Sequence, residues 1–133
     1  MSEANVELVR GALDAWNRRE PDIWERYAAE DFEWIPAGPV AVERGVYRGR
    51  DEAGRGVTAA FETWDLFEFT GDDVRDLGDA ALWLERLRTR GGASGVELER
   101  EFALHFQIAD GRFTRVRGHA SWDEALAAAG LAE

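Results

Sequence analysis

A chain of 133 residues is the usual size of one domain, and its six Trp and seven Phe residues provide apolar side chains for a core. The 27 acidic residues exceed the 16 basic residues, and the resulting net charge of −11 repels phosphate backbones and anionic lipids. Nucleic-acid and membrane partners are therefore not expected, and the charge favours solubility. The sequence has no cysteine, which excludes disulfides, thiolate metal sites and cysteine nucleophiles.

The N-terminal segment and the apolar runs bear on where the protein works. Residues 1–7 are polar and acidic, whereas a secretory signal is basic and then apolar. No apolar run in the sequence approaches the roughly 20 residues that cross a bilayer. A chain without cysteine also suits a reducing compartment, so we expect a cytoplasmic protein.

The first third of the chain predicts two helices and a strand. Apolar side chains recur at helical spacing along the first segment at Val6, Val9, Leu13 and Trp16. Pro21 suits the first turn of a second helix, whose apolar face contains Ile23, Trp24, Tyr27 and Ala28. Phe32 and Trp34 alternate with acidic residues, which indicates a half-buried strand that ends at Pro36.

Glycine and proline mark the next segment as a loop before a third helix. Residues 36–49 have no sustained period, although a brief hairpin near Tyr47 is compatible with the pattern. Helical spacing returns over residues 50–64 and predicts the third helix. Gly54 and Gly56 within it each cost about 1 kcal/mol relative to alanine.

Strand patterns occupy most of the remaining sequence. Residues 66–77, with an irregularity at Gly71, and residues 80–88 each predict a strand. Residues 91–95 resemble a hairpin loop, and residues 96–109 form the clearest strand because apolar and polar side chains alternate along it. A sheet of antiparallel neighbours is therefore expected.

The C-terminal part predicts a hairpin and a helix. Asp110 and Gly111 are a strong turn signal before a last strand over residues 112–120. Ser121 and Glu124 have the spacing of a capping box for a short helix. No linker, internal repeat or low-complexity tract divides the chain, so we expect a single domain, residues 1–133. Helices followed by strands predict an α+β fold, in which helices cover one face of a bent sheet.

Three stretches carry a resemblance to a known family. They are DFEW at 31–34, YRGR at 47–50 and FQIADGRF at 106–113, in the same succession of helices and strands. This pattern resembles the SnoaL-like family of the nuclear-transport-factor-2-like superfamily over nearly the whole chain. The resemblance implies a cone-shaped α+β barrel, with N-terminal helices packed in the concave face of a curved, mainly antiparallel sheet. It also implies an apolar pocket inside the cone and a homodimer.

The resemblance allows the family's catalytic positions to be compared with this sequence. Steroid isomerases of this fold place a general-base Asp just before a proline, where this chain has Ile35. These isomerases and the polyketide cyclases place an acid on the long strand, where this chain has Leu104. Dehydratase-like members use an Asp at the end of the first helix, where this chain has Asn17, whose amide cannot accept a proton at neutral pH. Steroid isomerase and polyketide cyclase activities are therefore not expected.

His119 and Arg117 are the candidate catalytic residues. Alternation along the last strand puts His119 in phase with Phe113, Arg115 and Arg117, which would direct it to the wide end of the cone. There His119 could act as a general acid or base, while Arg117 binds an anionic or enolate-like oxygen. The alternative is a strand-end histidine hydrogen-bonded to backbone, with both arginines paired to surface acids.

A second group of side chains comprises candidates for ligand contacts, namely Asn17, Trp34, Tyr47, Arg100, Phe102, Leu104 and Phe106. Small-molecule pockets are largely apolar with few polar groups, so this set indicates a hydrophobic or aromatic ligand. Core packing is the alternative for each aromatic ring. Arg100 interrupts the apolar face of the long strand, and either reaches the pocket or lies at the open end of the sheet.

Metal and cofactor sites have little support in the sequence. His105 and His119 are 14 residues apart on different predicted strands, and no ligand spacing typical of metal sites occurs. His105 shares a polar face with glutamates, so it is expected at solvent or in a dimer interface. Gly54 and Gly56 lie within a predicted helix and do not form a phosphate-binding loop. We expect neither a metal nor a cofactor.

The sequence leaves two classes of function open. One is a cofactor-independent pocket protein that binds a small apolar or aromatic compound, either without catalysis or with acid/base chemistry of the isomerase, lyase or cyclase type. The other is a dimeric structural or interaction module whose cone is filled by its own aromatic side chains. An open apolar pocket of a few hundred Å³ would favour the first class, and a filled interior the second.

Overall fold

The computed structural model describes residues 2–37, 45–91 and 95–131. Within these ranges the elements are α1 (Ser2–Asn17), α2 (Ile23–Tyr27), β1 (Ala28–Ile35), β2 (Tyr47–Arg48), α3 (Arg50–Thr63), β3 (Trp64–Asp76), β4 (Ala80–Gly91), β5 (Glu97–Ala109), β6 (Arg112–His119) and α4 (Trp122–Ala128). The predicted order of elements is confirmed. Parts of two predicted loops, residues 38–44 and 92–94, lie outside the described residues. No helix of the described chain has the length and apolarity needed to cross a membrane.

The six strands form one mixed sheet in the order β2-β1-β6-β5-β4-β3. All neighbouring pairs are antiparallel except β1 and β6, which pair in parallel with Trp34 opposite Val116. The mainly antiparallel sheet expected from the sequence is therefore confirmed, with one parallel pair among the described strands. The reason is topological: β6 returns to β1 only after the chain has passed through α3 and three further strands.

The helices divide between the two faces of the curved sheet. The first three pack on the concave inner face, where Trp16 of α1 contacts the rings of Phe61 and Phe67 at 4.8 and 5.0 Å. The short α4 packs on the outer face, where its buried Ala125 lies with Leu82, Leu84 and Ala103. The cone-shaped arrangement of helices against a curved, mostly antiparallel sheet is thus confirmed.

The first half of β4 is buried on both faces as a result. Residues 80–85 are all buried, because the α1–α3 layer covers one side and α4 covers the other. The predicted irregularity at Gly71 is confirmed, since the β3–β4 register shifts between Thr70 and Asp73. Gly71 has a φ of 123°, and an added Cβ would lie 3.3 Å from the Cα of Glu85.

Gly56 lies in the interior of α3, where the ring of Tyr47 leaves no room for a side chain. A Cβ built at this position would lie 2.7 Å from the ring of Tyr47. The missing side chain lets Tyr47 pack between α3 and Trp34, whose ring is stacked on it at 5.2 Å. The helix α3 therefore includes both Gly54 and Gly56, and the ring of Tyr47 packs against it at Gly56.

Candidate ligand site inside the cone

The cone contains a small apolar cavity between the helices and the inner face of the sheet. Its volume is about 20 Å³, which is close to the space that one water molecule requires. The side chains around it are Leu13, Trp16, Ile23, Trp24, Trp34, Pro36, Phe69, Phe102, Leu104 and Val116. The structure thus brings together Trp34, Phe102 and Leu104 from the predicted ligand-binding set. Leu104 lies in the cavity wall.

A larger groove of about 660 Å³ runs outside this cavity, between α2 and α3. Its rim is mostly polar and includes Asp22, Glu25, Arg50, Asp51 and Glu62. Trp24 and Tyr47 also line the groove. Because Trp24 lines both spaces, this residue is part of the partition between the outer groove and the cavity.

Several polar atoms inside the cone have no hydrogen-bond partner among the described residues. They include the indole Nε1 atoms of Trp16, Trp24 and Trp83 and the Oη of Tyr47. All four side chains belong to the buried core cluster. Buried polar groups are paired in the great majority of cases, and those without a partner often have a functional explanation. Trp16 and Trp24, which line the cavity, therefore bring unused hydrogen-bond donors to this part of the core.

Glu85 is a buried acid that the sequence reasoning missed. Its side chain is 1% exposed, and neither carboxyl oxygen has a hydrogen-bond partner among the residues that the structure describes. Burial raises the pKa of Glu85 well above the usual range of a glutamate. On β4 it alternates in phase with Trp83 and Leu87, which belong to the inner core, so its side chain is directed to the inside of the cone. In the sequence this phase is obscured, because apolar residues of β4 lie on both faces of the sheet.

Asn17 lies at the C-terminal end of α1 and contacts backbone. Its Nδ2 donates to the carbonyl of Phe69 at 2.8 Å, and its Oδ1 accepts from the Phe69 N–H at 2.9 Å. Both ends of the amide are therefore used to join the helix to β3. Asn17 is not among the residues that line the interior cavity.

Replacing Asn17 with alanine should destabilise the protein by about 1–2 kcal/mol, because two hydrogen bonds to Phe69 are lost. Urea unfolding monitored by tryptophan fluorescence measures this change. Asp14→Ala is the matched control, since Asp14 is exposed on the same helix and should change stability by less than about 0.5 kcal/mol. Equal effects of the two substitutions would contradict a linking role for Asn17.

His119 and Arg117 lie on the outer face of the sheet. In the β5–β6 register, Gln107 pairs with Arg115 and Ile108 with Phe113, so Thr114 is an extra residue. This bulge reverses the alternation beyond it, and the predicted phase of His119 with Phe113 is wrong for that reason.

The surroundings of His119 are therefore those of the outer face. Its ring is 3% exposed, and its Nδ1 lies 3.2 Å from Oε1 of Glu124 in α4. Arg117 is exposed, and Arg115 lies 3.8 Å from Glu33. Neither candidate catalytic residue lines the interior cavity. The capping serine behaves as expected, since Ser121 accepts from the N–H of Glu124 at 3.1 Å.

The other predicted site residues lie in three different environments. Tyr47 and Phe106 are buried in the core, where Phe106 contacts the ring of Phe113 at 4.7 Å. Arg100 is exposed, opposite Leu87, in the half of β5 nearer the β4–β5 connection. His105 is half-buried on the outer face, and burial is the largest cause of its lowered pKa, followed by the nearby charge of His119. Among the described side chains, no group of three or more His, Asp or Glu is arranged to hold a metal ion.

Helices packed on a curved sheet around an apolar interior are the fold of nuclear-transport-factor-2-like proteins. Similar solved structures have the same fold. A protein of this class and of unknown function from Burkholderia pseudomallei K96243 matches with a TM-score of 0.79 and 18% identity, over 93% of this chain and 95% of that one. A hypothetical protein with a ketosteroid-isomerase-like fold from Catenulispora acidiphila DSM 44928, crystallised with trimethylamine, has a TM-score of 0.77 and 16% identity, over 94% and 93%. A SnoaL-like protein from Jannaschia sp. CCS1, proposed to be a polyketide cyclase, has a TM-score of 0.76 and 20% identity, over 89% and 85%.

The chain itself belongs to the SnoaL-like family. The model of the SnoaL-like domain matches residues 9–116, which extend from α1 to β6. This match confirms the resemblance found in the sequence. No curated protein matches the sequence.

Proposed function

We propose that this SnoaL-like protein binds a small apolar or aromatic molecule inside the cone without a cofactor. The observation that carries the proposal is the interior cavity, whose wall includes two tryptophans with unpartnered indole N–H groups. A largely apolar wall with few polar groups is typical of a small-molecule site. The hydrophobic or aromatic ligand expected from the sequence suits this wall.

Ligand entry in this proposal requires a movement of Trp24. A cavity of about 20 Å³ is far smaller than the few hundred Å³ of a typical ligand site. Trp24 lies between this cavity and the groove of about 660 Å³, and it belongs to a helix of only five residues. Rotation of its side chain would join the two spaces, so the ligand selects a state in which Trp24 is displaced.

Any catalysis in such a site would be acid/base chemistry of the isomerase, lyase or cyclase type. The position of His119 and Arg117 on the outer face removes them from direct contact with an interior ligand in the state described. Groups within the cone, such as the indole N–H of Trp16, would have to polarise the ligand. The trimethylamine in the crystals of the Catenulispora protein gives a precedent for a small ligand in a protein of this fold.

A structural or interaction module is the second candidate function. The observation that favours it is the nearly filled interior, in which ring contacts connect Trp16, Trp24, Trp34 and Phe67. In that case the cone is only a core, and the outer face of the sheet mediates assembly into a dimer. The two candidates differ in whether an apolar probe enters the cone.

Ligand-observed NMR with indane and naphthalene as probes tests the proposal. Leu104→Trp should lower affinity for either probe at least tenfold, because the larger ring fills the remaining space. Trp24→Ala should raise affinity, because it removes part of the partition between groove and cavity. Leu98→Trp is the matched control, since Leu98 is 46% exposed on the same strand as Leu104. If neither the wild type nor folded Trp24→Ala binds a probe, the structural module is favoured.

A further inference from the structure

Glu85 is a neighbour of Phe102, which lines the interior cavity, although Glu85 is not itself among the lining residues. Glu85 is directly opposite Phe102 of β5, so the two Cβ atoms are about 5 Å apart on the same face of the sheet. Phe102 lines the cavity together with Phe69, and their ring centroids are 5.8 Å apart. Trp16, with its unpartnered N–H, contacts the same Phe69 ring at 5.7 Å. Glu85 and Trp16, which both have unpartnered polar atoms among the described residues, are therefore neighbours of the two rings in this section of the wall.

A carboxyl group without a partner is unfavourable in a core that needs only to pack. An ionised carboxylate at this position would lose its hydration without gaining a cation, and no described residue forms an ion pair with Glu85. Burial therefore favours the neutral form of the group, which has one O–H donor and remaining acceptor capacity. An apolar side chain at this position would avoid the desolvation, so the acid points to a partner that the described part of the protein does not provide.

We infer that Glu85 donates a hydrogen bond to the carbonyl oxygen of a neutral ring compound bound in the cone, and so selects ketones over hydrocarbons of the same shape. The inference rests on the proposed binding function. A neutral acid suits a carbonyl oxygen because a donor meets an acceptor without burying a charge. An anionic ligand of the same shape would be disfavoured, since its charge would be buried in a cavity whose described lining residues include no cation. No covalent bond is made or broken in this step.

The test compares 1-indanone with indane, which have similar shapes but differ in the carbonyl group. The quantity compared at pH 6 is the Kd of 1-indanone divided by the Kd of indane. This ratio should be about tenfold lower in the wild type than in Glu85→Leu. Comparison of the ratio between the two proteins cancels the different hydration of the probes. Glu85→Gln should keep part of the preference, because its amide can still donate.

An infrared measurement on the wild type gives a readout that does not depend on a variant. The C=O stretching frequency of bound, carbon-13-labelled 1-indanone should lie below its value in an apolar solvent, as expected for a hydrogen-bonded carbonyl. An unshifted frequency would overturn the inference, and so would an equal Kd ratio in the wild type and folded Glu85→Leu. In either case, binding of indane would still support the proposed function. If neither probe binds, the proposed function and this inference both fail.

Discussion

Trp16→Ala is expected to lower the free energy of unfolding by about 3–5 kcal/mol, the usual range for removal of a large buried aromatic side chain. Trp16 is at the centre of the aromatic core, with ring contacts to Trp34, Phe61, Phe67 and Phe69 at 4.8 to 6.1 Å. These contacts connect α1 to β1, α3 and β3, so the layer of helices and the sheet lose a shared anchor. Urea unfolding and thermal melting measure the loss, which is a large share of the stability of a small domain.

Two further substitutions make this prediction specific. Trp16→Phe should lose less than Trp16→Ala, because one aromatic ring remains in the same place. Leu98→Ala should change stability by less than about 0.5 kcal/mol, since Leu98 is exposed on β5. A loss below about 1 kcal/mol for Trp16→Ala would show that the ring is not held by the core as described.

Glu85→Gln is expected to change how stability depends on pH. Because the folded-state pKa of Glu85 is raised above 4.5, the folded protein keeps a proton that the unfolded chain releases. The stability of the wild type relative to Glu85→Gln is therefore greatest below pH 4.5, and falls as pH rises towards the folded-state pKa. The slope of this difference approaches about 1.4 kcal/mol per pH unit between the two pKa values. Urea unfolding of both proteins from pH 4 to 9 measures it.

The control for this prediction is an exposed glutamate, because the pKa of Glu85 is raised by burial. No charged group of the described residues contributes to this pKa shift. Glu62→Gln, at an exposed position of α3, should leave the pH profile of the wild type unchanged. A constant difference in stability between wild type and Glu85→Gln over the whole pH range would show that Glu85 is ionised in the folded protein.

The sequence predicts the elements well where a single period governs the side chains. The alternation along residues 96–109 corresponds to β5, whose outer face includes His105 as expected. For the last strand the predicted bounds are close to those of β6, but the predicted alternation of its side chains is wrong. One extra residue at Thr114 is invisible in the pattern, because Phe113 and Val116 both face inward on either side of it.

The candidate site was predicted only in part for a related reason. Trp34, Phe102 and Leu104 line the cavity because each lies on the apolar face of a regular strand. Glu85 was missed because Leu82 and Leu84 are also apolar, which hides the alternation of a strand covered on both sides. The contribution of α4 to that burial depends on tertiary packing, and local sequence does not show it.

The contact between Asn17 and Phe69 also affects how this sheet ends. β3 is an edge strand, and such a strand exposes backbone groups that can pair with another chain. Both backbone groups of Phe69 are already bonded to the Asn17 amide, and the irregularity at Gly71 lies two residues further along the strand. The opposite edge, β2, has only two residues. A continuous ladder with a second molecule is thus obstructed at both edges, which protects the protein against strand-mediated aggregation.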